Sequence, residues 1–515
     1  MPSPRPASPH AIALSAVASL VDGTGSGADV EVTGVTLSSQ DVVPGDLYAA
    51  LPGANTHGAR YAAGALAAGA VAVLTDHAGE QVLAEEGVDV PRVVVQDPRG
   101  VVGAVAREVY GTADPALRLV GVTGTNGKTT TAYLVNSALT ALGHTTGLIG
   151  TVETRIGDER VKSMRTTPEA TVLHALLAVM VERSVDFCVM EVSSHALSQH
   201  RVDGVVYDVA LFTNLSQDHL DFHPTMRDYF EAKASLFTPE RSRRGIVCVD
   251  DEWGRELAGT AGVPVTRLTS RADVDADWRL VAGEDPAGFT LSDGTTTLRL
   301  RSALPGDFNR VNTAMAALAL MASGITAEDT ERALLVDPHV PGRMERVAPT
   351  RVAADPSLPL VVVDYAHTPD AVAAALAALR PATTGALVVV LGAGGDRDRG
   401  KRAAMGRAAA SGADVVVVTD DNPRSEDPAA IRRAVLQGAR DAGTDAELHD
   451  VQGRAAAIAA AVRAAHRHGP GSVVAVVGKG HETGQEVAGT VHPFDDRVEA
   501  AKALDAISLE RGGVA

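Results

Sequence analysis

Apolar and polar positions follow three successive patterns along this chain. Between residues 28 and 110, short apolar strands surround one clear helical stretch, HGARYAAGALAAG, in which Gly69 reads as a C-cap before the strand AVAVL. This pattern predicts a compact α/β unit. From Leu117 the run LRLVGVT predicts a strand, followed by a glycine loop and a helix that opens at Thr129 and closes near Gly143. Two further strands, DFCVME and DVALFTN, complete the opening of a nucleotide domain.

A third pattern begins near Pro341-Gly342, where PLVVVD, ALVVVLG, DVVVVTD and SVVAVVG each precede a helix-like stretch. Runs this continuously apolar belong to parallel strands covered on both faces. Each ends in a polar loop: DYAHTPD from Asp364, GAGGDRDRGKR from Gly392, DNPRSEDP from Asp421 and GKGHET from Gly478. Loops at the carboxyl ends of parallel strands share one edge of the sheet, where open α/β folds bind ligands.

Length and charge narrow the classes. At about 150 residues per domain, 515 residues predict three domains. Lys and Arg number 46 against 64 Asp and Glu, a net charge of −18, which repels nucleic acid and anionic membranes. Neither is expected as a partner, and any anionic ligand needs a local site. Cys188 and Cys248 sit in apolar runs and build no disulfide framework, which points to a reducing cytosol. The broken apolar run from Ala11 to Val21 is a poor signal sequence and far too short to span a bilayer. We expect a mature, soluble, cytoplasmic monomer. Aromatics make up only 3%, so the core must rest on Val, Leu and Ala.

The segment GVTGTNGKTTT, residues 121 to 131, follows a predicted strand and opens a predicted helix, the context a phosphate loop requires. Backbone amides from Gly124 to Thr130 would face phosphate oxygens, Lys128 would meet the β- and γ-phosphates, and the Thr129 hydroxyl would ligate Mg²⁺. The general pattern wants a glycine at position 122, where this chain has Val122. Glu191 ends a strand, where a carboxylate can face that Mg²⁺. Asn214, Asp218 and His219 cluster beyond the next strand; on their own, a strand-end carboxylate and a lone histidine are more often structural.

Taken together, TGTNGKTT, EVSSHALSQHR, TNLSQDHLDFH, YFEAKASLF, GRME, DYAHTPD, GDRDRGKR, DNPR and GKGHE resemble the Mur ligases of peptidoglycan synthesis, in family order from about residue 35 to residue 500. The resemblance implies an α/β fold of three domains. They would be a UDP-muramyl-binding domain at 1–114, a central P-loop ATPase domain with a mostly parallel sheet at 115–340, and a Rossmann-like amino-acid-binding domain at 341–515. It implies ATP-dependent amide-bond formation through an acyl phosphate on the D-glutamate γ-carboxylate of UDP-N-acetylmuramoyl-L-alanyl-D-glutamate. Lys128 and His219 would act in catalysis with Lys233, which matches the family's carbamylated lysine; without the motif Lys233 would read as a surface residue of an amphipathic helix. Two Mg²⁺ ions would be held by Thr129, Glu191, His219 and Lys233, the last as its CO₂-derived carbamate.

The same resemblance implies Leu37, Ser39, Asn55, Thr56, Thr166, Thr167, Ser193, Gln199 and Arg201 for the UDP-muramyl dipeptide. Gln40 stands where the family commonly has Arg. ATP would be completed by Asn309 and Asn312 near the adenine, by Arg343 near the phosphates, and by Asp364 and His367. The ordinary alternative for Arg343 is a linker arginine in a surface ion pair.

The amino acid added is read from DNPR, the family's diaminopimelate pattern. Asp421, Asn422, Pro423, Arg424, Arg397, Gly478 and Glu482 would form its pocket, with Arg424 able to pair bidentately with a carboxylate. Meso-diaminopimelate is therefore expected. The alternatives are a lysine-adding ligase of the same family, a folylpolyglutamate synthase, or an ATP-binding switch that transfers nothing.

Overall fold

A computed structural model describes residues 4–161, 165–351, 355 and 357–512, and it is α/β throughout. Three large sheets follow one another along the chain.

The first sheet has five strands, with Asp46–Ala49, Ala72–Thr75 and Arg92–Val94 running parallel beside Gly34–Thr36. The helical stretch read from HGARYAAGALAAG is a 3₁₀ turn, Gly58–Tyr61, followed by the helix Ala62–Ala67; Gly69 takes φ +113 as the chain turns toward the next strand. Two helices that the pattern did not single out, His77–Glu85 and Pro98–Val109, open on the side chains of Asp76 and Asp97, which cap them. The run expected to be a broken apolar stretch is a short strand and the helix Leu14–Leu20, which buries Leu14 and Val17.

The central sheet has eleven strands, and its six inner pairings are parallel. At its heart Arg118–Thr123 lies between Phe187–Glu191 and Val209–Phe212. Successive residues feed opposite faces, so Val120 and Val122 join one apolar layer and Leu119 the other. Both layers are closed by helices, which explains the unbroken apolar runs. The far edge continues antiparallel through Trp278–Ala282, Gly288–Ser292 and Thr297–Arg301.

The third sheet places Leu360–Asp364, Val473–Val477, Leu387–Leu391, Val415–Val418 and Glu447–Asp450 side by side and parallel, with Glu345–Val347 antiparallel at one edge. The four valine-rich runs read from the sequence are four neighbouring strands. Their polar loops therefore leave at one edge of the sheet, as expected from parallel topology.

The first and central sheets meet through the helices Pro98–Val109 and Ala170–Glu182, where Ala106, Tyr110, Ala175 and Ala178 pack together. Among the described residues, no helix is long and apolar enough to cross a membrane.

Candidate active site

The phosphate-loop segment forms as the sequence predicts: a strand, a tight loop and the helix Lys128–Ala141, whose N-cap is Gly127 at φ +89. A Cβ at Gly127 would stand 2.5 Å from Asn312 Oδ1, so glycine is required both by the turn and by the neighbour. Asn214 latches the loop from the adjoining strand end, donating from its side chain to Asn126 O and accepting from the amides of Thr125 and Asn126.

Register explains the rest. Glu191 lies opposite Val122 on the neighbouring strand, so its carboxylate comes out beside the loop. It is 1% exposed and accepts hydrogen bonds from the hydroxyls of Thr129, at 3.0 Å, and Thr151, and from the Thr151 amide. Thr167 donates to the Glu191 carbonyl, and Thr166 pairs with Thr151. Thr151 is a site residue with no motif to reveal it.

Two lysines meet here, Lys128 half-buried and Lys233 buried. Lys128 folds over the loop and donates to the carbonyls of Gly124 and Thr125. Lys233, 1% exposed, donates to the same Gly124 carbonyl at 2.7 Å and lies over the Tyr229 ring. Burial lowers the pKa of both amines, and the Lys128 charge lowers Lys233 further. His219, at φ +55, sits 3.6 Å from Asp218; burial drives its imidazole down to about 3, against the pull of Asp218. His195 lies between His219 and Phe222.

The third sheet reaches into this site. Arg343 donates to Thr129 Oγ1 at 3.0 Å and stacks on Tyr365, while its buried Nε has no partner among the described residues. His367 and Lys401 approach Asp218 to 3.7 and 4.0 Å, and Arg397 pairs with Asp221 at 3.5 Å. Burial would raise the Asp218 carboxyl, but His367, His219 and Lys401 outweigh it and hold it far below the usual range. Asp364 accepts the amides of Met344 and Ala366, and burial raises its pKa despite nearby Arg343. Asn309 and Asn312 are buried in the helix Asp307–Ala322 and bonded to each other, with Asn312 against the loop.

A second cluster gathers at the strand ends of the third sheet. Arg424, at φ +50, donates to Gly395 O and pairs with Glu486 at 3.3 Å. Pro423 is buried beside Gly395, and Gly394 lies between the side chains of Arg424 and Arg397. Asn422 donates to Glu482, and both are bonded by Lys479. Gly478 takes φ +115 and passes so close to Asp421 that a Cβ would lie 2.7 Å from its carboxylate. Behind them Arg454, 1% exposed, is held by Asp496.

A third grouping spans the first and central sheets. Arg201, bonded to Gln199, shares Glu169 with Arg165 and with Arg99 of the first unit. Ser193 caps the helix Ser194–Ser198 and exchanges hydrogen bonds with Thr167. Leu37 packs against the apolar cluster that includes Ala170. Ser39 is half-buried, and Asn55 and Thr56 lie in an exposed loop; none of the three bonds to the Thr166–Arg201 group among the described residues.

The site fits a magnesium nucleotide. A hydroxyl and a carboxylate 3.0 Å apart are hard oxygen donors, the unpartnered Arg343 Nε asks for an acceptor, and half-buried Lys128 and buried Lys233 ask for anionic oxygen. No group of three or more His, Cys, Asp or Glu side chains converges as a metal site among the described residues; the oxygen pair brought together at the loop is Thr129 with Glu191.

Comparison with known proteins finds family matches along most of the chain. Residues 31–110 match the model described as Mur ligase family, catalytic domain; residues 122–321 match the Mur ligase middle domain, and residues 342–480 the Mur ligase, glutamate ligase domain. The chain is 51% identical over 508 residues to the UDP-N-acetylmuramoyl-L-alanyl-D-glutamate–2,6-diaminopimelate ligase of Streptomyces avermitilis, covering 97% of this chain and 98% of that protein. It is 48% identical over 510 residues to the UDP-N-acetylmuramyl-tripeptide synthetase of Leifsonia xyli, covering 97% of each. A solved structure of a UDP-N-acetylmuramoyl-L-alanyl-D-glutamate–2,6-diaminopimelate ligase superposes with TM-score 0.63 at 32% identity, covering 93% of this chain and 95% of that one.

Proposed function

The chain belongs to the Mur ligase family, and on that premise we propose that it joins meso-2,6-diaminopimelate to the D-glutamate γ-carboxylate of UDP-N-acetylmuramoyl-L-alanyl-D-glutamate, consuming ATP. The observation that carries this reading is the meeting of Thr129, Glu191 and Arg343, a phosphate-loop hydroxyl, a central-sheet carboxylate and a cation that precedes the third sheet. We assign residues 1–114 to the UDP-sugar, 115–340 to ATP and 341–515 to the amino acid. The enzyme works as a cytoplasmic monomer.

A carboxylate is a poor acylating agent, so the reaction needs two displacements. The γ-carboxylate oxygen attacks the ATP γ-phosphorus; the bond to the β-phosphate oxygen breaks, leaving ADP and an acyl phosphate. The diaminopimelate amine then attacks the acyl carbon, expels phosphate and loses a proton, forming the amide. In the first step charge spreads over phosphoryl oxygens, and Lys128 and Arg343 meet it with fixed cations in a water-poor site. Asn309 and Asn312 seat the adenine side of the nucleotide, with Asp364 and His367 closing over it.

Thr129, Glu191 and His219 would hold Mg²⁺, and Lys233 as its carbamate would serve a second such ion; bound there, the ions would offset negative charge on the phosphates. Lys233 suits carbamate formation because only a neutral amine adds to CO₂, and its burial beside Lys128 favours the neutral form. The ammonium first gives up one proton; addition of the neutral amine to CO₂ then forms an N–C bond and releases a second, so a cation has become an anion.

Leu37, Ser39, Asn55, Thr56, Thr166, Thr167, Ser193, Gln199 and Arg201 form the UDP-muramyl dipeptide site. Asp421, Asn422, Pro423, Arg424, Arg397, Gly478 and Glu482 form the diaminopimelate pocket. The test is phosphate release from ATP with the muramyl dipeptide and either meso-diaminopimelate or L-lysine, followed by product mass. Release with diaminopimelate and a UDP-muramyl tripeptide product is expected. Release with lysine in its place refutes the pocket, and release with neither refutes the ligase.

A further inference from the structure

We propose that Lys479 is a positioning residue that fixes Glu482 to receive the far ammonium of diaminopimelate, so that selection for that ammonium depends on a lysine which never touches the substrate. This rests on the assignment of Glu482 to the diaminopimelate pocket.

The placement of Lys479 is unusual for its type. It stands in GKGHE between Gly478, at φ +115, and Gly480, at φ +55, and this doubly left-handed backbone turns the side chain inward until it is 0% exposed. Lysine is almost never fully buried unless paired. Its Nζ donates to Glu482 Oε2 at 2.8 Å and to Asn422 Oδ1 at 3.1 Å. Asn422 Nδ2 donates to the same Glu482 Oε2 at 3.0 Å, and Asn422 Oδ1 also accepts the Glu486 amide. Every polar atom of the Asn422 amide is thereby oriented, and one carboxylate oxygen of Glu482 is held twice.

The other oxygen, Oε1, has no partner among the described residues, and the Glu482 side chain is one-third exposed. A buried cation beneath an open carboxylate with one free oxygen is a fixed acceptor for an incoming cation. Arg424, on the neighbouring loop, supplies the opposite charge for the far carboxylate. The two ends of the distal amino-acid centre are thus read separately.

The test uses two analogues in the full enzyme. 2-Aminopimelate keeps the far carboxylate and lacks the far ammonium; L-lysine keeps the far ammonium and lacks the far carboxylate. In K479M the ratio of kcat/KM for diaminopimelate over 2-aminopimelate should fall at least tenfold. The ratio for diaminopimelate over lysine should stay within threefold, because both lose the same contact. KM for ATP should not move, whereas a general loss of structure would disturb all three. E482Q should reproduce the collapse, and K479M/E482Q should match E482Q within threefold, since Lys479 acts through Glu482.

The double variant leaves no unpaired buried charge, so it carries the comparison if K479M alone does not fold. A collapse in E482Q but not in K479M, or a double variant clearly worse than E482Q, overturns the role of Lys479. An unchanged ratio in E482Q overturns the assignment of Glu482 itself, and the proposal with it.

Discussion

Replacing Arg343 separates a catalytic clamp from an ordinary linker arginine. Its guanidinium stacks 4.2 Å from the Tyr365 ring centre and donates at 3.0 Å to Thr129, with the buried Nε left over for a phosphate oxygen. A desolvated cation–π contact contributes roughly 2 kcal/mol. A hydrogen bond from a charged donor adds about 1.5–3 kcal/mol. Together these amount to about 3.5–5 kcal/mol, which at 1.36 kcal/mol per tenfold is a loss of about 400- to 5,000-fold in kcat/KM for R343M. R343K keeps the charge but loses the planar stack and fork, so about 10- to 100-fold is expected. Phosphate release at varied ATP divides the loss: contacts made before the reaction raise KM for ATP, and charge met only in the transition state lowers kcat. R343K within threefold of wild type, with R343M within tenfold, would refute the clamp and restore the exposed ion pair worth under about 1 kcal/mol.

Lys128→Ala should abolish turnover, and isothermal titration should show weakened ATP binding; retained turnover would remove the loop lysine from the chemistry. Arg424→Ala should raise KM for diaminopimelate by about 100-fold, as expected for a lost bidentate ion pair, with KM for ATP unmoved; equal effects on both would contradict the division of the site. His174 is fully buried between the Thr112 hydroxyl and the Asp203 carbonyl, and burial lowers its pKa to about 4. The folded state then binds fewer protons than the unfolded state between pH 4 and 6.5. Stability is therefore full above pH 6.5 and falls as the solution is acidified, by about 2 kcal/mol from pH 7 to pH 5. Urea unfolding at the two pH values should show this drop in wild type and a smaller one in H174Q.

What the sequence made legible follows from how each feature is encoded. Val361 to Val363, Val388 to Val390 and Val415 to Val418 are covered on both faces, so their apolar runs are unbroken and announce parallel strands. The antiparallel extension buries only alternate residues, as Leu298 and Leu300 do in Thr297–Arg301, and a five-residue alternation is a fainter signal. Lys128, Thr129 and Glu191 were legible because a strand, a loop and a helix bring them together within one local topology. The meeting of Asp218 with His367 and Lys401 was not, because it depends on how two sheets separated by a long stretch of chain pack together. Thr151 lies outside every motif, and Arg454 is defined by partners distant in sequence, Asp496, the Val477 carbonyl and Asp421. Lys479 stands inside a motif whose glycine and glutamate had obvious roles; only its complete burial reveals its own.

The charge of the molecule carries a last consequence. A chain with net charge −18 nevertheless gathers Lys128, Lys233, Arg343 and Lys401 around one loop, with Glu191 and Asp218 as the nearby carboxylates. Burial lowers the pKa of Lys128 and Lys233, so an anion placed beside them would favour their charged forms. A triphosphate is such an anion, and Arg343, Asp218 and Asp221 are among the groups through which the third sheet's side meets the central one. A ligase that must keep water from an acyl phosphate gains from having Arg343, His367 and Lys401 already seated against the central sheet's loops.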